Sequence, residues 1–325
     1  MINGVLCSIS TRGRYDTTLP LAIQSVINQT HKVDKLIIYD DNDSPRDLRE
    51  SQLYNYLFQL LEIKGIKWEV LFAQKKGQHW NHQMANTHGY TWVWRIDDDC
   101  VAEPNTLHNL ILYAGDKVGA VGGSILTPPV GNETLVATGS IRDIFSEPNL
   151  QWGYIRSLRS VDHLHCSFLY RAGVYDYNLA LSRAAHREET LFTYGLKQKG
   201  YEILVVPDAI TWHLKNKEGG IRLEQEERFH HDEAIFRNFL KFKDKTIVVL
   251  DNGMGDHIVF SHVLPLIENP VVFSCYPDIV PGRSIQEAKD LFGDISTWNI
   301  YNKMMQWDWK GSLESAFNKL YVEKP

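Results

Sequence analysis

Apolar positions along the chain fall into alternating strand-like and helix-like blocks. The first block, residues 4–10, is a short apolar run ending in Ser10-Thr11-Arg12-Gly13-Arg14, the pattern of a buried strand entering a turn. Residues 19–29 then place apolar side chains at helical spacing, and Leu36-Ile37-Ile38-Tyr39 makes a second strand closing on Asp40-Asp41-Asn42-Asp43. This is a βαβ unit. A helix over 48–63, a strand over 68–72, a helix near 83–89 and the strand before Asp97 continue the alternation, which predicts an α/β fold with a mostly parallel sheet. Such sheets bind ligands beyond the carboxyl ends of their strands. The chain puts turn or acidic residues at those ends: Thr11 with Arg14, Asp40 with Asp41, and Asp97 with Asp99. One crevice is expected to gather all three pairs.

The pattern changes after Asp99. A helix over 105–114 leads to Val118-Gly119-Ala120-Val121-Gly122-Gly123 and a Pro- and Gly-bearing stretch as far as 153, where short antiparallel strands are expected. Residues 163–171 resume strand character, and His186-Arg187-Glu188-Glu189-Thr190-Leu191-Phe192 opens a helix to 200. Residues 201–206 and 208–213 read as two strands leading into the charged loop Lys215-Asn216-Lys217-Glu218-Gly219-Gly220, whose paired glycines suit a lid. An amphipathic helix over 224–242 marks a seam. Beyond it, a strand–turn–helix from 245 and a strand over 271–275 predict a small α/β module. The expected organisation is a main domain over 1–222, a linking helix over 223–244 and an accessory module over 245–325.

Composition narrows the function. The 325 residues are 43% hydrophobic and 23% charged, ordinary for a chain that folds on its own. A net charge of −6 argues against broad nucleic-acid binding, which needs a basic face. The four cysteines, Cys7, Cys100, Cys166 and Cys275, are scattered without a CxxC pair, which points to neither a zinc site nor a disulfide framework and fits a reducing cytoplasm. No run reaches the length of a membrane span, and the first residues lack a basic segment followed by a long apolar core. A cytoplasmic protein, free or peripheral to a membrane, is expected.

The strongest chemical signal is Asp97-Asp98-Asp99 at a strand end. Carboxylates crowded together repel, and a divalent cation with oxygen ligands removes that cost while keeping positions open for phosphate oxygens. The plainer alternative is a solvated acidic turn.

These features, in this order, resemble glycosyltransferase family 2, the inverting nucleotide-sugar transferases of GT-A fold, over about residues 1–220. The likeness rests on Ser8-Ile9-Ser10-Thr11-Arg12, the helix through Leu21 and Thr30, Ile37-Ile38-Tyr39-Asp40-Asp41, Asn81 with Ala85-Asn86, Arg95-Ile96-Asp97-Asp98-Asp99, Arg187-Glu188-Glu189-Thr190-Leu191 and Pro207-Asp208-Ala209-Ile210-Thr211-Trp212-His213. The resemblance implies a GT-A domain and a nucleotide-sugar donor, UDP-linked above others, held by Thr11, Arg14, Asp41, Asn81, Asp97 and Asp98. It implies Mn²⁺ or Mg²⁺ on Asp99 and His213, and a hydroxyl acceptor, such as a glycan; the acceptor candidates are His165, whose strand leads toward Glu188-Glu189, and Trp212. The family's usual Glu-Asp or Asp-Asp is here Glu188-Glu189, which makes Glu189 the base, with a raised pKa, and Glu188 the supporting acid. The extra methylene of Glu leaves Glu188 as the alternative base. Core packing is the reading for most of His79, Trp80, His82, Trp152 and His163.

Asn252-Gly253-Met254-Gly255-Asp256-His257-Ile258-Val259 resembles the opening of a heptosyltransferase-like GT-B lobe, but about 80 residues are too few for two such lobes. The module is read as structural, acceptor-docking or a homo-oligomer contact. The rival readings are a sugar-phosphate nucleotidyltransferase, which would carry a more glycine-rich loop than Ser10-Thr11-Arg12-Gly13-Arg14-Tyr15, and a non-catalytic nucleotide-sugar or carbohydrate-binding scaffold.

Overall fold

In the first strand, β1 (Val5–Thr11), alternate side chains enter different cores: Val5, Cys7 and Ile9 one, Leu6 the other. Period-two alternation into two apolar layers defines a sheet covered on both faces. The structure, a computed structural model, describes residues 4–128 except 74, residues 134–137, 152–153, 157–220 and 226–242, and four short strands beyond. The chain divides into two compact units, 1–225 and 226–325.

In the first unit, β1 is followed by α1 (Leu19–Ile27), β2 (Lys35–Asp40), α2 (Gln52–Ile63), β3 (Lys67–Phe72), α3 (Gln78–Asn86), β4 (Trp92–Ile96), β5 (Cys100–Ala102) and α4 (Thr106–Ile111). Next come β6 (Val118–Leu126), β7 (Thr134–Ala137), β8 (Trp152–Gly153), β9 (Arg159–Ser160), β10 (Ser167–Arg171), α5 (Glu188–Gln198) and β11 (Glu202–His213). The sheet runs β3-β2-β1-β4-β10-β6-β11-β5. The first four strands are parallel; β10 is antiparallel to both neighbours, and β11 is parallel to β6. The expected mostly parallel α/β sheet with a smaller antiparallel part is therefore present. Buried residues of α1, α2 and α4 pack on one face, and those of α3 and α5 on the other.

Some boundaries depart from expectation, each for a local reason. The helix expected near 83–89 starts at Gln78, because its buried face carries His79, Asn81 and His82, polar residues that an apolar period does not reveal. Ser51 is extended, which splits 48–63 into a single turn at Leu48–Glu50 and α2. Strand β10 begins only at Ser167, because Cys166 has a positive φ of 40°. The two strands expected around Pro207 are one, β11, whose register with β6 shifts between Val206 and Ile210, as a residue without a backbone N–H requires. Strand β5, unexpected from so short a run, pairs antiparallel with the end of β11 and sets His213 opposite Cys100.

The second unit has α6 (Glu226–Phe242), β12 (Val248–Asp251), β13 (Val271–Ser274), β14 (Arg283–Ser284) and β15 (Tyr321–Val322). Its sheet runs β14-β13-β12-β15, parallel except for β15. The glycine-bearing turn at 252–259 lies outside the described residues. Among the described residues no helix is long and apolar enough to cross a membrane.

Candidate active site

Three strand ends meet where the sheet order changes direction. Residues from the ends of β1, β2 and β4 line an open crevice, among them Thr11, Arg12, Asp41 and Asp98, facing Gly77, Gln78, Arg183 and Gly220. Asp41 Oδ2 accepts from the Gly77 N–H at 3.3 Å and from Arg183 Nε at 3.2 Å, while its buried Oδ1 has no partner. Burial pushes this carboxyl above the usual range, against the pull of Arg183. An unpaired buried acceptor beside a crevice is costly unless a ligand satisfies it.

The three aspartates are held differently. Asp98 accepts from Arg14 Nη1 and from the Arg12 N–H at 3.2 Å, so it is fixed to the turn after β1. Asp99 Oδ2 lies 3.1 Å from Arg14 Nη2 and 3.4 Å from His213 Nε2. Burial would raise Asp99, but its hydrogen bond with His213 and the charges of His213 and Arg14 outweigh that and keep it low. Asp97 accepts from Arg95 Nη2 at 2.6 Å, and burial pushes it up to about 7 despite that partner. Thus Arg14, expected at the nucleotide, ties Asp98 to Asp99.

Arg14 is also covered. The segment after β11 passes over it, with Glu218 O accepting from Nε at 3.3 Å and Asn216 O from Nη2 at 3.5 Å. The Gly220 N–H donates to Arg12 O at 2.8 Å. Gly219 and Gly220 both have positive φ, and a Cβ on Gly220 would lie 2.7 Å from the Arg14 guanidinium. A Cβ on Gly219 would lie 2.6 Å from the backbone oxygens of Arg12 and Gly13, an approach that glycine alone allows in that conformation.

Glu188 and Glu189 open α5 after a turn in which Ala185 and Arg187 both have positive φ, at 52° and 66°. Glu188 is fully buried, its Oε1 accepting from Arg95 Nη1 and, at 2.9 Å, from Gln78 Nε2. Glu189 retains 15% side-chain exposure, and its Oε1 meets His165 Nδ1 at 3.2 Å. The expected raised pKa of Glu189 is corrected: burial alone would raise it, but the His165 hydrogen bond and the charge of Arg95 hold it well below the usual range. The His165 ring stands edge-on to His213, with centroids 5.5 Å apart. Asp99, His213, His165 and Glu189 are therefore continuous.

Two expected contacts are absent from this group. Asn81 is buried and donates to Ser10 Oγ at 2.8 Å, so it secures α3 against β1 and does not line the crevice. Trp212 donates to Glu103 Oε1 at 2.7 Å; successive strand residues point to opposite faces, so His213 and Trp212 cannot share one. His79, His82 and His163 are buried, as core packing required. Gln78 and Arg183 escaped the sequence, and Arg95 stood there only as part of Arg95-Ile96-Asp97-Asp98-Asp99 with no role of its own, since a single Arg or Gln is not marked before its carboxylate partners are known.

Comparison with known proteins agrees with this architecture. The sequence profile of glycosyl transferase family 2 matches residues 9–176, more than half of the chain. The chain belongs to glycosyl transferase family 2. Its first unit has the GT-A architecture of its structural neighbours. One is GalNAc-T7 with UDP, GalNAc and Mn²⁺, at 13% identity and TM-score 0.53 over 91% of this chain and 57% of that one. Another is Staphylococcus aureus TarS 1–349 with UDP-GlcNAc, at 12% identity and TM-score 0.50, covering 74% and 68%. The chain thus spans little more than half of GalNAc-T7. No curated protein matches by sequence.

Proposed function

We propose that the chain transfers a sugar from a nucleotide-sugar, a UDP-sugar above others, to an acceptor hydroxyl with inversion at the anomeric carbon. The observation that carries this reading is the continuity of Asp99, His213, His165 and Glu189 beside a crevice in which Asp41 keeps an unpaired buried oxygen. The UDP of GalNAc-T7 and the UDP-GlcNAc of TarS support the donor class.

A carboxylate with a neighbouring imidazole is a donor set that fits Mn²⁺ or Mg²⁺, and Asp99 with His213 would hold it. Such a cation, when bound, stabilises the negative charge that builds on a departing diphosphate. Asp41 Oδ1 would accept from the base or a ribose hydroxyl, and Asp98 keeps Arg12 and Arg14 in place at the crevice. Glu189, held ionised by His165, would take the proton of the acceptor hydroxyl as it attacks. Glu188 has no exposed surface and both Arg95 and Gln78 on one oxygen, so it serves to position Arg95 and not as the base.

Glu189→Gln tests the assignment. Donor hydrolysis with Mn²⁺ should fall at least about a hundredfold, while calorimetry shows donor affinity unchanged. Full turnover in that variant would refute Glu189 as the base.

A further inference from the structure

Cys100 and Cys166 lie far apart in sequence, but the fold brings the sulfur of each within reach of His213, Cys166 together with His165 and Cys100 together with Asp99. The ligating atoms of His165, Cys166 and His213 all lie within 4.8 Å of one another. We infer that these three residues form a second cation site, selective for a thiophilic ion such as Zn²⁺, which shares His213 with the Asp99 site and so excludes the catalytic cation while occupied.

Four observations support it. The donor set is two imidazoles and one sulfur, which favours zinc over magnesium or manganese. Zinc bonds of about 2.0–2.3 Å give tetrahedral ligand separations of about 3.5 Å, so the present spacing needs only a modest contraction. Each imidazole already has a carboxylate on one nitrogen, Glu189 on His165 at 3.2 Å and Asp99 on His213 at 3.4 Å, the outer support that metal-binding histidines commonly have. Finally, Cys166 has φ 40° although it is not glycine, and its carbonyl accepts the Asp97 N–H at 3.1 Å. Strained backbone of this kind is retained where the surroundings fix a side chain for use. Binding would release the Cys166 thiol proton to solvent. The scattered cysteines thus conceal a donor cluster that only the fold assembles. That the shared His213 serves a catalytic cation rests on the function proposed above; the thiophilic site itself does not.

Cobalt(II) is the probe, added to the full chain without nucleotide. The wild type should show a near-ultraviolet thiolate-to-cobalt charge-transfer band that zinc abolishes. The band should persist in Cys100→Ser, disappear in Cys166→Ser and weaken at least about tenfold in apparent affinity in His165→Asn. No band in the wild type, or a band that survives Cys166→Ser, overturns the site, and the wild-type reading holds even if Cys166→Ser fails to fold. Paramagnetic resonance of Mn²⁺ then tests the sharing: one equivalent of zinc should release bound manganese from the wild type but not from Cys166→Ser. Manganese that stays bound beside zinc overturns the exclusion. If the chain binds no manganese at all, the catalytic reading fails while the cobalt result still decides this one.

Discussion

Glu188 and Glu189 are adjacent and of one type, yet their surroundings give them opposite tasks. Glu188 has no exposed surface and is clasped by Arg95, itself fully buried and also bonded to Asp97. Removing one partner of a buried ion group leaves the others uncompensated and typically costs about 3–5 kcal/mol. Arg95→Met should therefore lose stability of that order in urea denaturation, and a loss under about 1 kcal/mol would show the cluster to be inessential to the fold. Sequence made the pair visible as candidates through its helix-opening position. It did not show which one faces the site, because that depends on Arg95 and Gln78, more than ninety residues away along the chain. Asn81 and Trp212 mislead for the same reason: segments that resemble the family marked them as candidates, but the partners Ser10 and Glu103 decide where they point.

Two elements place the site, α3 with its polar buried face and the segment after β11. His79 on α3 is buried, which lowers its pKa to about 4. An unfolded histidine protonates near 6.5, so the unfolded state binds the extra proton as pH falls. The contribution of neutral His79 is thus complete above about pH 6.5 and is lost progressively toward pH 4, amounting to about 2 kcal/mol between pH 7 and pH 5. His79→Gln should flatten the pH dependence of the urea midpoint by that amount; an unchanged profile would contradict the burial argument. In the segment after β11, a Cβ on Gly220 would collide with Arg14 in a backbone conformation with φ +67°. Gly220→Ala should release the segment, seen as severalfold faster tryptic cleavage after Lys215 and Lys217, and equal cleavage rates would show that the close approach is not what holds it. The glycine pair was legible as a hinge signal. The contact that makes it necessary was not, because Arg14 lies some two hundred residues earlier.

At the scale of the molecule, the alternation of apolar blocks was enough to read the sheet and the crevice at its carboxyl ends, because burial on both faces writes strands as continuous apolar runs. Strand order beyond β4 was not legible, since it depends on β10 and β11 returning from distant sequence to flank β6. That return brings His165 and His213 to Asp99 and makes one centre of three separate motifs. The function proposed for the centre requires a cation shared between Asp99, His213 and a diphosphate. Calorimetric titration of UDP into the full chain, with and without Mn²⁺, tests this most directly. Manganese should tighten binding at least about tenfold in the wild type, about 1.4 kcal/mol, and have no effect in Asp99→Asn; equal affinity with and without the metal, for UDP and likewise for GDP, CDP and dTDP, would contradict the proposal.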